Sequence, residues 1–182
     1  MAMPRALHLR GVRKRFVAGV HGCLASVDVL RGIDLDLDPG ESAAVIGAPG
    51  SGKSTLLLCA AGLLRTDAGT RSWFGDSAPV TAAARAYYCF SVSDLASVVP
   101  GDETRVYFLD LPPALGMSGM LADWISDHCD AGNALLIAAR DERLIPRTVD
   151  RVLTLSAGIL HSTRTIRSRV AESVAAEASP FC

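Results

Sequence analysis

The run Gly47-Ala48-Pro49-Gly50-Ser51-Gly52-Lys53-Ser54-Thr55 constrains the fold of this chain more than any other stretch. It sets glycines, a lysine and hydroxyls at the spacing of a loop that holds a nucleotide triphosphate. The apolar run Ala43-Ala44-Val45-Ile46 precedes it and Leu56-Leu57-Leu58-Cys59-Ala60-Ala61 follows, which predicts a buried strand, the loop and then a helix. Glycines let successive backbone N–H groups curl around an anion, and the following helix turns its partly positive N-terminus to the same point. Lys53 would bridge the outer phosphates, and the Ser54 hydroxyl would ligate the accompanying magnesium. Lys14 and Lys53 are the two lysines among eighteen basic residues, so a lysine at this spacing is not a product of composition. The nucleotide-binding candidates here are Gly47, Gly50, Ser51, Gly52, Lys53, Ser54 and Thr55. A glycine-rich turn before a core helix is the alternative.

The chain has 182 residues, which suits one domain with a substantial core. Eighteen basic and nineteen acidic residues give a formal charge of -1 and no basic face for nucleic acid. The apolar run from Leu56 to Leu64 is about half of a bilayer span. No secretory signal is read at the N-terminus, and the expected location is the cytoplasm. Cys23, Cys59, Cys89, Cys129 and Cys182 form no CxxC pair and stand at no zinc spacing, so buried small hydrophobes are expected rather than a disulfide frame or a metal site.

Leu7-His8-Leu9-Arg10-Gly11-Val12 and Val29 to Leu37 alternate at period two, predicting two or three antiparallel strands ahead of the loop. A turn at Asp38-Pro39-Gly40-Glu41 leads into the strand at 43–46 and a helix at about 53–64. Short strands are expected at Ala86 to Phe90, Val106 to Leu109 and Ala134 to Ala138, the last two apolar throughout, as in a largely parallel sheet. Gly119 to Cys129 reads as a helix with Leu121, Trp124, Ile125 and His128 on one side. Val152 to Leu155 and Gly158 to His161 read as a closing hairpin. Arg164 to Ala178 reads as a surface helix with a short tail, giving a division into residues 1–163 and 164–182.

Arg105-Val106-Tyr107-Phe108-Leu109-Asp110 is an apolar strand ending in an acid. Paired with the loop, it predicts a carboxylate beside the magnesium, next to the Ser54 hydroxyl. The chain then resembles the ATP-binding subunit of an ABC transporter. Val29-Leu30-Arg31-Gly32-Ile33-Asp34-Leu35, Pro39-Gly40-Glu41, Ala61 to Thr70 and Val149 to Ile159 match the family's order along the chain. The resemblance implies an α/β fold: a P-loop NTPase (RecA-like) core with a mainly parallel sheet flanked by helices, and an N-terminal antiparallel β subdomain. It implies ATP and Mg as ligands, with Ser54 and Asp110 on the metal, and places Phe16 where the family stacks an aromatic ring on adenine. The alternative for Phe16 is a packing residue of the antiparallel subdomain.

Departures from the family pattern carry equal weight. Lys53 and Asp110 are separated by roughly half of the usual stretch, so the helical subdomain and its LSGGQ-like signature are expected to be largely deleted, between about Ser91 and Pro100. Leu155-Ser156-Ala157-Gly158 and Gly116-Met117-Ser118-Gly119 lie in the wrong places to be that signature. Ser91 stands where the family has its coupling glutamine, and Leu111 where it has the glutamate that polarises water. Arg140 replaces the histidine that senses the terminal phosphate, and Pro113-Ala114-Leu115-Gly116 lacks the usual acid. Arg140 is either a substitute, offering bidentate hydrogen bonds as an arginine finger does, or a surface residue paired with Asp141 or Glu142.

These features predict ATP binding with weak or absent hydrolysis. They also predict a fuller ABC ATPase as partner and a membrane permease that would hold the chain at the inner membrane face. A nucleotide-dependent regulatory or scaffold module is the alternative from another class. A small-molecule kinase fits less well, because strand-rich chain precedes the loop and no arginine-rich lid follows it.

Overall fold

The computed structural model describes residues 4–20, 23–78, 84–90, 95, 98, 103–110 and 118–166. Two sheets carry it. Strands β1 (Leu7–Val20), β2 (Cys23–Leu37) and β4 (Ala68–Trp73) form an antiparallel sheet in the order β2-β1-β4. The second sheet runs β5-β6-β7-β3-β8-β9. Its members are β3 (Ser42–Ile46), β5 (Ala86–Cys89), β6 (Val106–Asp110), β7 (Ala134–Ala139), β8 (Arg151–Ser156) and β9 (Ile159–Thr165). All its pairings are parallel except β8 with β9, which is the expected closing hairpin. This is the fold expected from the sequence: a mainly parallel P-loop core beside an antiparallel β subdomain.

The central strands are buried because both faces are covered. Val106, Phe108, Leu136 and Val45 join the cluster beneath helix α1 (Lys53–Ala60), with Leu56, Leu57 and Ala60. Tyr107, Leu109, Leu135 and Ile137 pack on the other face, with Ile125 and Cys129 of helix α2 (Ser118–Asp130). Leu121 and Trp124 pack against this second cluster, and His128 stacks on the Trp124 ring at 3.7 Å, so the expected face of α2 is the inward one. Cys59, Cys89 and Cys129 are buried thiols, and burial raises the Cys59 thiol to about 11.

Several boundaries differ from the sequence expectation. Strands β1 and β2 extend into a long two-stranded ribbon, and β4, which follows the loop helix, supplies the third strand of their sheet. Helix α1 stops at Ala60 rather than near residue 64, because Gly62 takes a left-handed conformation (φ 82) and turns the chain out. Arg164 and Thr165 pair with Val152 and Arg151 to complete β9, so no helix starts at Arg164. The rest of that expected helix, from 167 on, lies outside the described residues. Between β4 and β6, helical conformation among the described residues is confined to 84–85 and 95.

Candidate functional site

The parallel strands all point their carboxyl ends to one edge, where such sheets bind ligands. Strand β3 releases the glycine loop there. Ile46 is the register partner of Ala139, and Ala138 that of Asp110. Gly47, Asp110 and Arg140 therefore emerge from adjacent strands at the same edge. Each position is local in sequence, but their convergence is a property of the strand order.

The loop is held by backbone as well as by its own turns. A Cβ on Gly47 would lie 2.4 Å from the Leu155 carbonyl oxygen and 2.7 Å from Ser51 Oγ. Gly52, at φ 101, approaches Val29 so closely that a Cβ there would lie 3.0 Å from Cγ1. Val29 also lies against the β8–β9 turn, since a Cβ on Gly158 would come within 2.6 Å of its carbonyl. The Arg31 N–H donates to the Gly158 carbonyl at 2.8 Å. The loop is thus wedged between β2 and the end of β8. The sequence Leu155 to Gly158 is the end of β8 and this turn, not a signature.

Gly52 caps α1 without a side-chain hydrogen bond, and the first turn contains no acid. Its first backbone N–H groups have the character of an anion site. Lys53 folds back over the loop, its Nζ donating to the carbonyls of Gly47 (2.7 Å) and Ala48 (2.9 Å) and to Ser51 Oγ (3.3 Å). Burial lowers the Lys53 ammonium from its ordinary value. The Asp110 charge opposes that shift and the Arg140 charge adds to it. The Lys53 ammonium therefore lies in the fields of both Asp110 and Arg140. Ser54 is exposed and Thr55 half-buried.

Asp110 accepts a hydrogen bond from the Tyr88 hydroxyl at 3.0 Å on Oδ2. Burial first, and then the Asp110 charge, push the Tyr88 phenol up. Arg140 is exposed, and Asp141, one of the two carboxylates named as its surface partners, binds Arg143 through both oxygens (3.0 and 2.7 Å). Asp141 also caps the short 3₁₀ turn Glu142–Leu144 by accepting from the Arg143 backbone N–H.

Phe16 lies within β1, which runs on past the Leu7 to Val12 stretch read as a strand from the sequence. It is 43% exposed, so it is not a core residue. Its register partner is Val27, and Lys14 Nζ stands 5.3 Å from the ring centroid. Phe16 is joined to the loop through β2, whose Val29 touches Gly52. Ser91, Pro100, Leu111 and Pro113 to Gly116 lie outside the described residues.

Magnesium-nucleotide fits this arrangement: a glycine-cradled loop, uncapped helix amides, a lysine folded over the loop, a hydroxyl and a nearby carboxylate supply the required donors. Among the described residues no helix is long and apolar enough to cross a membrane.

Comparison with known proteins agrees with the geometry. Residues 30–94, a little over a third of the chain, match the family described as ABC transporter. The chain is 42% identical over 74 residues to the macrolide export ATP-binding/permease protein MacB of Nitrosomonas europaea, covering 41% of this chain and 11% of that protein. It is 47% identical over 74 residues to the lipoprotein-releasing system ATP-binding protein LolD 1 of Caulobacter vibrioides, covering 41% and 30%. It is 54% identical over 54 residues to the aliphatic sulfonates import ATP-binding protein SsuB 3 of Nocardia farcinica, covering 30% and 22%. The chain thus spans less than a third of the length of each. Among solved structures, the ADP conformation of the ATP-binding cassette MJ1267 has a TM-score of 0.68 at 14% identity, covering 97% of this chain and 98% of that one. The cassette MJ0796 bound to ADP and Pi scores 0.64 at 15% identity, covering 89% and 99%.

Proposed function

We propose that this chain, which is related to the ATP-binding subunits of ABC transporters, binds Mg-ATP at the loop after β3 and hydrolyses it weakly or not at all on its own. The observation that carries this reading is Lys53, folded over the carbonyls of its own loop in the electrostatic reach of both Asp110 and Arg140. Gly47, Gly50, Ser51, Gly52 and Thr55 form or flank the phosphate cradle, with Lys53 on the outer phosphates. Ser54 and Asp110 hold the magnesium, which when bound offsets phosphate charge. Phe16, exposed on the ribbon, offers a face for adenine.

Weak turnover follows from what the chain does not supply. Leu111 has no group to polarise water, and removing a general base costs about 10²–10⁴-fold. Arg140 is the remaining candidate for contact with a terminal phosphate. The engagement of Asp141 by Arg143 weakens one of the two surface pairings open to Arg140, and pairing with Glu142 stays the alternative. A cassette dimer with one signature-bearing partner would complete one site, so a fuller ABC ATPase, and through it a permease, is the proposed assembly. The short span between Lys53 and Asp110 favours a second reading, a nucleotide-dependent regulatory module without transport coupling. Co-purification at native expression separates them: a permease and a complete ATPase subunit accompany the chain under the first reading alone.

Calorimetry of Mg-ATP with the wild type and Lys53→Ala tests the binding itself. Loss of one charge-assisted contact removes about 1.5–3 kcal/mol, so affinity should drop at least tenfold. Equal affinity in the two proteins would make the loop a structural turn.

A further inference from the structure

Tyr88 is the residue at this edge that the loop motif does not call for. Strands β5 and β6 are parallel, with Tyr88 opposite Phe108. Alternate residues of a strand share a face, so Asp110 lies diagonally ahead of Tyr88 on the same face. A phenol is long enough to span that diagonal, and the hydroxyl meets Asp110 Oδ2 at 3.0 Å. Both ends of the contact are braced. The Asp110 backbone is held by pairing with Ala138 of β7, and the half-buried Tyr88 ring packs on Phe90 with centroids 4.6 Å apart.

We propose that Tyr88 is a positioning residue for the magnesium site, fixing the rotation of the Asp110 carboxylate through Oδ2 and leaving Oδ1 for the cation. The inference rests on the Mg-ATP reading and deepens it. Partners that orient a metal-ligating carboxylate typically contribute 10–100-fold to metal affinity. A phenylalanine at this position keeps the ring and its packing but releases the carboxylate.

The test measures ATP affinity in EDTA and across a Mg²⁺ titration for wild type, Tyr88→Phe, Asp110→Asn and the double variant. In EDTA, Tyr88→Phe should match wild type. With Mg²⁺, the concentration giving half of the affinity gain should rise about tenfold, and the Asp110→Asn background should remove this difference. An unchanged Mg²⁺ requirement overturns the proposal. So does a lowered one, which would make the phenol a competitor of the cation, and so does an equal loss with and without Mg²⁺, which would make Tyr88 merely structural. A wild type that binds no ATP under either condition overturns the parent reading, whereas normal wild-type binding with an unaltered Tyr88→Phe overturns this inference alone.

Discussion

Gly47 and Leu155 meet backbone to backbone: a Cβ on Gly47 would stand 2.4 Å from the Leu155 carbonyl oxygen. The first glycine of the loop is therefore set by the neighbouring strand β8, and not only by the need to approach a phosphate. Gly50 differs, with nothing within 4 Å of its Cβ position and a left-handed φ of 78.

These two glycines should respond differently to alanine. Gly50→Ala bears only the left-handed backbone penalty, about 1–2 kcal/mol. Gly47→Ala forces the loop and β8 apart, and overpacking of this kind costs about 1–3 kcal/mol or more, with loss of ATP binding. Denaturant unfolding of both variants, with calorimetry on each, checks the order. A Gly47→Ala protein that binds ATP as wild type does would contradict the contact.

Purified protein is expected to hydrolyse ATP at or near background, and Leu111→Glu alone should not restore turnover. A base acts only on water held in line with a terminal phosphate, and that geometry needs a partner's contacts as well. Phosphate release from wild type, Leu111→Glu and Arg140→Ala is the measurement. Robust wild-type turnover would refute the expected deficit, and its loss in Arg140→Ala would give that arginine the finger role.

Asp150 is a buried carboxylate that ties β8 to β3. Its Oδ2 accepts from the Ser42 backbone N–H (2.8 Å) and the Ser42 hydroxyl (2.6 Å), and its own N–H donates to the Ser42 carbonyl at 3.1 Å. Asp150→Ala strands two buried donors, each costing about 1–3 kcal/mol. Asp150→Asn, which keeps an acceptor, should lose less. Urea unfolding of both variants decides this, and equal losses would show that the acceptor is not what matters.

Acid should loosen the antiparallel sheet. Hydrogen bonds from the Arg15 side chain to Asp28, and from the Arg15 backbone N–H to Asp67, hold both carboxyls below their ordinary range. At Asp36 burial acts upward but is outweighed by hydrogen bonds from Arg10 and His8. Groups lowered on folding contribute stability above their unfolded pKa of about 3.9. That contribution is lost as pH falls through the lower folded values. Stability measured by urea unfolding should therefore fall below about pH 4, and Asp28→Asn with Asp67→Asn should flatten the decline. An unaltered pH profile in that double variant would remove these pairs as its source.

The sequence by itself determined the loop, the strands on either side of it, the inward face of α2 and the closing hairpin, because each is written in a local period or a run of glycines. The central strands were legible from their unbroken apolar character, which burial on both faces imposes. The full ribbon was not. Arg13, Lys14 and Arg15 alternate with no clear apolar face, and β1 there is fixed by cross-strand pairing with β2, a long-range interaction that carries no local signature. For the same reason β4 joined the antiparallel sheet unannounced. The site divides in the same way. Lys53 and Asp110 were each readable from neighbours in sequence, and Arg140 from the resemblance to the family pattern. That Tyr88 holds Asp110 and that Leu155 walls in Gly47 were decided by tertiary structure, because strand order and register choose which groups come within reach of one another.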